Sequence, residues 1–263
     1  MDVNKTSQKT KQINKTKPRF ILPRHVKIPR AKLKICILGN IFAKTVHHTR
    51  EIYDLKFEDL NLDQFINLCR MLKKILNNFG ISLTSIRYEM ESYIQVLEKH
   101  EDVFSNFNIH HLLRGIVHEI EIGGYEFTEA VMWISRYIDF IRAVIQNLLL
   151  EGFENNQLDE TTENVLRKSY DETLAQYRDW TAQKTFKALI VKSPRKKSLI
   201  KKFMNSKPTR KELLIIAMEG CVEVMSEIVA GLKATFEEAN LEKDIEQLKL
   251  QHLFTFQRIE EAN

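Results

Sequence analysis

Apolar side chains return at helical intervals along most of the chain after residue 60. Phe65, Ile66, Leu68, Met71, Leu72, Ile75, Leu76 and Phe79 follow Asn61 at this spacing until Gly80, a natural residue just past a helix end. Ile86, Met90, Tyr93, Ile94 and Leu97 begin a second series almost at once, so the two predicted helices pack as close neighbours. Shorter patterns cover Ile109 to Ile120 and close at Gly123 and Gly124. Thr128 then offers an N-cap for a helix carrying Val131, Ile134, Ile138, Ile141, Ile145 and Leu148. Its apolar residues occupy more than one face, which places it deep in the core.

After a polar, acidic connection, one long helix is predicted from about Thr162 to Val191, with Leu166, Tyr170, Leu174, Tyr177, Phe186 and Leu189, stopping before Ser193 and Pro194. Thr209 and Glu212 have capping-box spacing ahead of a further helix rich in Leu, Ile, Val and Met. Leu241, Ile245, Leu248, Phe254 and Ile259 mark a final amphipathic extension. No repeat at a solenoid period is present. The pattern therefore predicts an all-α fold. Only eight Gly and five Pro in 263 residues agree with it, because strands joined by tight turns need many more. The division it implies is a leader over 1–50, one helical domain over 51–240 and an extension over 241–263.

Charge separates the leader from the body. Residues 1–34 hold eleven Lys or Arg against Asp2, a balance of +10 in a chain of net charge +5, so the remainder carries −5. With Pro18, Pro23 and Pro29 breaking any helix, residues 1–50 read as a basic, disordered leader. Two roles stay open for it: a solvated tail, or electrostatic attachment to an anionic membrane or a nucleic acid. Phe20 is the only aromatic before Phe42, so the interleaved rings that stack bases are missing and nucleic-acid recognition is not indicated. The acid-poor composition would suit a mitochondrial presequence, but no amphipathic helix accompanies it.

Cys36, Cys69 and Cys221 are widely spaced and odd in number, which suggests neither a disulfide framework nor a zinc site and points to a reducing, cytoplasmic compartment. No run approaches the roughly 18 apolar residues that span a bilayer, and no secretory signal precedes the body. A Gly-rich phosphate loop, a paired zinc-ligand motif and a nucleophile elbow are all missing, so no enzyme chemistry, metal or cofactor is predicted. His111 and His118 stand seven apart on one helical face without a second ligand pair, and read as interface or surface histidines. Glu89 and Glu91 point about 200° apart on a helix and cannot easily serve one substrate.

Three segments in order resemble the glycolipid transfer protein family, which includes ceramide-1-phosphate carriers: Phe79 to Leu97, Ala130 to Arg136, and Tyr177 to Phe186. The resemblance spans most of residues 62–240 and implies a two-layer helical domain with a lipid pocket between the layers. It places the family's acidic head-group residue at Glu89 and the Asn or Lys one turn later at Tyr93. The Trp platform for the first sugar or ceramide head falls at Trp133, with Arg136 one turn beyond. The His that binds the ceramide amide falls at Arg178, and Pro194 sits where the family's membrane-docking loop has a proline. Glu89 keeps the family Asp charge one methylene further out, whereas Tyr93 and Arg178 depart from the pattern.

A sphingolipid head sets a polar amide and hydroxyl beside two long chains, so a carrier needs an acceptor, a donor and an apolar hollow. A carboxylate accepts from the amide N–H and hydroxyl, and an indole supplies a flat apolar face with a polar edge. Arg178 either donates to the head group, favouring a phosphate, or pairs with Glu89 and closes the site. Trp133 is either the platform or ordinary core packing. Lys192, Arg195, Lys196 and Lys197, with Lys201 and Lys202 beyond, form either a solvated face or a docking surface, where each lysine near anionic head groups contributes on the order of 1 kcal/mol. The implied function is non-vesicular transfer or sensing of a sphingolipid by a carrier that touches anionic membranes transiently. The alternative is an interaction protein that keeps the fold with a disabled head-group site.

Overall fold

The computed structural model describes residues 41–42, 61–100, 116, 118–120, 122–154, 158–204 and 211–249, apart from 239, 242 and 244. The helices are α1 (Leu62–Asn77), α2 (Thr84–Lys99), α3 (Glu126–Leu149), α4 (Glu163–Thr173), α5 (Trp180–Ile190), α6 (Lys196–Phe203) and α7 (Lys211–Glu238). Among the described residues there is no β-sheet, only an isolated bridge between Thr161 and Arg195. The predicted all-α class is the one observed.

Local chemistry fixes the ends of α1. Asn61 and Gln64 form a reciprocal capping box, which satisfies two otherwise orphaned amides. Gly80, with a φ of 68°, takes the left-handed conformation that a residue with a Cβ avoids. A short 3₁₀ turn, Gly80–Leu83, then feeds α2 directly. The predicted closeness of α1 and α2 follows, and the two helices are in contact.

Helix α3 is the centre of the packing. It meets α1, α2, α4 and α7, and buries Val131, Ile138 and Ile145 on one face and Phe140 and Ala143 on another. Thr128 does not cap it. The helix starts at Glu126, and the carboxylate of Glu119 does the capping, accepting from the amides of Phe127 and Thr128 at 2.9 Å each and from the Thr128 hydroxyl at 2.6 Å. An acceptor from outside the helix, placed at the positive end of its dipole, replaces the expected local cap. Gly124 is needed for that approach, since a Cβ there would lie 2.9 Å from Glu119 Cγ.

The single helix predicted over 162–191 is two. α4 ends at Thr173, a 3₁₀ turn occupies Ala175–Tyr177, and Asp179 caps α5 by accepting from the Ala182 amide at 2.7 Å. Gln183 Nε2 donates to the carbonyls of Ala175 and Arg178 at 2.9 and 3.0 Å, satisfying acceptors that the break releases. The break turns Arg178 out of helical register and toward α2. Thr209 lies outside the described residues, as do most of Ile109 to Ile120, His111, Cys36 and the leader up to Asn40. His118 is exposed, and Cys69 and Cys221 are buried free thiols.

Buried Asp139 joins α3 to α7. It accepts from Arg142 Nε at 2.8 Å and Lys233 Nζ at 2.9 Å. Burial pushes the carboxyl up, but these two cations outweigh it and hold the group below its usual value of 3.8. A depressed folded-state value stabilises the fold above the unfolded pKa and loses that contribution as pH falls through the folded one. Asp139→Asn is therefore expected to lower the melting temperature at pH 7, and the difference from wild type should shrink as pH falls below about 4, as thermal melts at descending pH would read.

Candidate functional site

Three elements bring their polar residues together at one place. On α2, Glu89 and Tyr93 are four apart and share a face. On α3, Glu129, Trp133 and Tyr137 repeat the same spacing, with Arg136 beside them. The joint between α4 and α5 contributes Tyr177 and Arg178. All five predicted head-group residues are thus gathered in one cluster.

Arg178 supplies the connections. Its Nη2 donates to Glu89 Oε2 and, at 2.6 Å, to the hydroxyl of Tyr137, whose own O–H donates to the same Glu89 oxygen at 2.6 Å. The guanidinium also lies 4.5 Å from the centre of the Trp133 ring. The side-chain bonds described for Glu89 fall on Oε2, and its side chain keeps 38% of its exposure against 16% for Arg178. The pair is therefore desolvated on the arginine side and open on the carboxylate side. Arg178 thus contacts Glu89 directly.

The aromatic residues form a continuous platform. Tyr93 stacks on Trp133 at 6.3 Å and 10°, and Tyr137 follows at 6.0 Å from Trp133. Arg136 spans Trp133 and Tyr177, 4.7 and 3.8 Å from the two ring centres. Trp133 Nε1 donates to Glu129 at 3.3 Å, so the polar edge of the indole is engaged while its body packs on the core. Glu91 points away and pairs with Lys73 on α1, as the helical geometry of the two glutamates requires.

Burial raises the Tyr137 phenol well above its usual range; Arg178 opposes the shift and Glu89 adds to it. Tyr93 is pushed up to about 12, first by burial and then by Glu129. Both phenols stay protonated and can donate. Burial works against the charge on Arg178, but Tyr137 and Glu89 prevail and shift it upward, so it stays cationic. The cluster offers a carboxylate acceptor, neutral hydroxyl donors and fixed positive charge next to flat apolar rings. Tyr137, Tyr177 and Glu129 are not among the site residues expected from the sequence. The signal for Tyr137 was present, because it follows Trp133 by one helical turn and a buried tyrosine needs a partner for its hydroxyl.

The predicted docking residues separate. Lys192, Arg195 and Lys197 are exposed, but Lys196 is fully buried and must be removed from that set. Its ammonium lies 2.9 Å from Glu151 and 3.3 Å from Glu160, since an interior lysine requires opposite charge. Backbone bonds at 2.9 Å from the Lys196 amide to Glu160 and from the Lys197 amide to Leu158 join the start of α6 to the connection before α4. Among the described residues no group of three His, Cys, Asp or Glu is arranged to hold a metal, and no helix is long and apolar enough to cross a membrane.

A model of the family described as glycolipid transfer protein matches residues 60–205, more than half of the chain. Glycolipid transfer protein 3 of Arabidopsis thaliana is 24% identical over 164 residues, 60% of this chain and 66% of that protein, so the match spans just under two thirds of the relative's length. Glycolipid transfer protein 1 of the same plant is 25% identical over 170 residues, covering 62% and 78% of the two chains. Among solved structures, human ceramide-1-phosphate transfer protein in complex with ceramide-1-phosphate superposes with a TM-score of 0.61 at 16% identity, covering 77% of this chain and 98% of that one. A mutant of Arabidopsis accelerated-cell-death 11, complexed with the same class of lipid, gives 0.65 at 14%, covering 78% and 98%. At such identities the likeness establishes the fold.

The separation of Lys196 from its neighbours is testable by denaturant unfolding. Lys196→Ala should cost about 3 kcal/mol by leaving Glu151 and Glu160 without their cation, whereas Lys197→Ala should stay within about 0.5 kcal/mol of wild type.

Proposed function

This chain belongs to the glycolipid transfer protein family, and on that footing we propose that it takes up one sphingolipid, of ceramide-1-phosphate or glycosphingolipid type, and carries it between membranes or senses it. The observation that carries this reading is the cluster of Glu89, Arg178 and Tyr137 set against Trp133. The half-exposed carboxylate of Glu89 accepts from the lipid amide and hydroxyl, Trp133 and Tyr93 support the head, and Arg136 and Arg178 supply positive charge. The two chains enter between helices that part to admit them. Such uptake and release form no covalent bond, so the protein acts as a carrier and not as an enzyme, working from the cytoplasmic side.

Residues 51–240 form the lipid-binding body in this account, with 1–50 a basic leader and 241–263 an extension. Docking falls to Lys192, Arg195 and Lys197, next to an exposed stripe that runs along α5 to Val191 just past its end. Trp180, 68% exposed, Lys184, Lys187 and Val191, 61% exposed, follow each other at helical spacing there. An indole beside lysines suits the boundary between head groups and acyl chains, and a few such cations give attraction weak enough to reverse.

The engagement of Glu89 by Arg178 favours a second reading, in which the site is closed and the protein is an interaction module. Native mass spectrometry of the chain purified from cells separates the two. A co-purified sphingolipid supports the carrier, while a chain that is empty and stays empty after exposure to vesicles supports the module. For the carrier, Trp133→Ala is expected to lower extraction of ceramide-1-phosphate and glucosylceramide from vesicles at least about tenfold with helical circular dichroism retained. Undiminished extraction rejects the pocket.

A further inference from the structure

Lys249 stands where a packed helix should be apolar. Asn240, with a φ of 51°, takes the chain out of α7, and the segment that follows buries Leu241 and Ile245. A spacing of four places Lys249 on the same side as these two, at the edge of the body, where its side chain keeps 40% of its exposure. There its ammonium pairs with Glu129 Oε1 on α3 and lies 5.8 Å from the centre of the Tyr125 ring. The same Glu129 oxygen receives the indole N–H of Trp133 at 3.3 Å. One carboxylate oxygen therefore connects the C-terminal segment to the edge of the aromatic platform. Glu129 is largely buried, at 17% side-chain exposure, so its charge is weakly screened by water.

We propose that Lys249 is a specificity-setting positioning residue: by neutralising Glu129 beside Trp133, it permits an anionic lipid head to settle on the platform. The proposal rests on the head-group reading of Glu89, Trp133 and Arg178 given above. Glu89 is matched by Arg178; Glu129 is matched by Lys249. Removing Lys249 leaves an uncompensated carboxylate at the indole edge, and an anionic head set on the platform would meet that like charge in a partly buried site. A neutral sugar head carries no net charge and does not feel that repulsion. The lysine thus acts on selectivity through Glu129 without itself touching the lipid.

The test uses the full chain and neutral phosphatidylcholine vesicles carrying either ceramide-1-phosphate or glucosylceramide. Lys249→Ala is expected to lower transfer of ceramide-1-phosphate about tenfold and of glucosylceramide less than about twofold, in line with one uncompensated charge. Lys249→Arg should restore the wild-type ratio, and so should Glu129→Gln placed in the Lys249→Ala background, because it removes the charge that Lys249 had cancelled. Equal loss for both lipids, an unchanged ratio, or failure of Glu129→Gln to restore it overturns the proposal. Trp133→Ala run in parallel tells the two failures apart. If it abolishes both transfers while Lys249→Ala leaves the ratio unmoved, the role of Lys249 alone fails; if it leaves transfer intact, or wild type moves neither lipid, the head-group reading falls and the proposal with it.

Discussion

The contact between Arg178 and Glu89, completed by the hydroxyl of Tyr137, is the interaction on which the site depends. It joins α2, α3 and the α4–α5 joint through a single carboxylate oxygen. A buried guanidinium without such partners would carry a large desolvation cost, and Tyr137 would bury an unmatched hydroxyl. The arrangement satisfies both and still leaves the outer side of Glu89 toward solvent. The arginine that fills the site thus also orients the carboxylate of Glu89.

The fold around this contact serves to place it. α3 buries residues on more than one face and lies at the centre of the packing, so Trp133 and Tyr137 have little freedom to shift. The break between α4 and α5 moves Arg178 off the helical path, and Asp179 and Gln183 stabilise that break. At the other end of α5 the chain runs through exposed Lys192 to Lys196, whose buried ammonium anchors the start of α6. Neighbours in one basic run thus divide between surface charge and interior structure.

Much of this was legible in the sequence, and the exceptions share a cause. Helical periodicity located α1, α2 and α3, because burial of one or more faces leaves a direct trace in apolar spacing. The order of three short segments identified Glu89, Tyr93, Trp133, Arg136 and Arg178, which the fold brings together. What periodicity could not disclose were contacts made by residues distant in the chain. Glu119 takes over the capping assigned to Thr128, Lys196 is neutralised by glutamates 36 and 45 positions earlier, and the 162–191 helix breaks without a Gly or Pro to announce it. Tyr137 falls between these cases. Its position was readable as one turn beyond Trp133, but its role needed the arginine from another element.

A lipid head that engages this cluster must displace or share the Arg178–Glu89 contact. The most direct measurement follows the side-chain Nε–H of Arg178 by nitrogen-15 NMR while a short-chain ceramide-1-phosphate is added. A saturable shift of that resonance at one lipid per protein, absent in Trp133→Ala, is the predicted result. A resonance that stays fixed while the protein demonstrably carries the lipid would show that the head group does not engage Arg178.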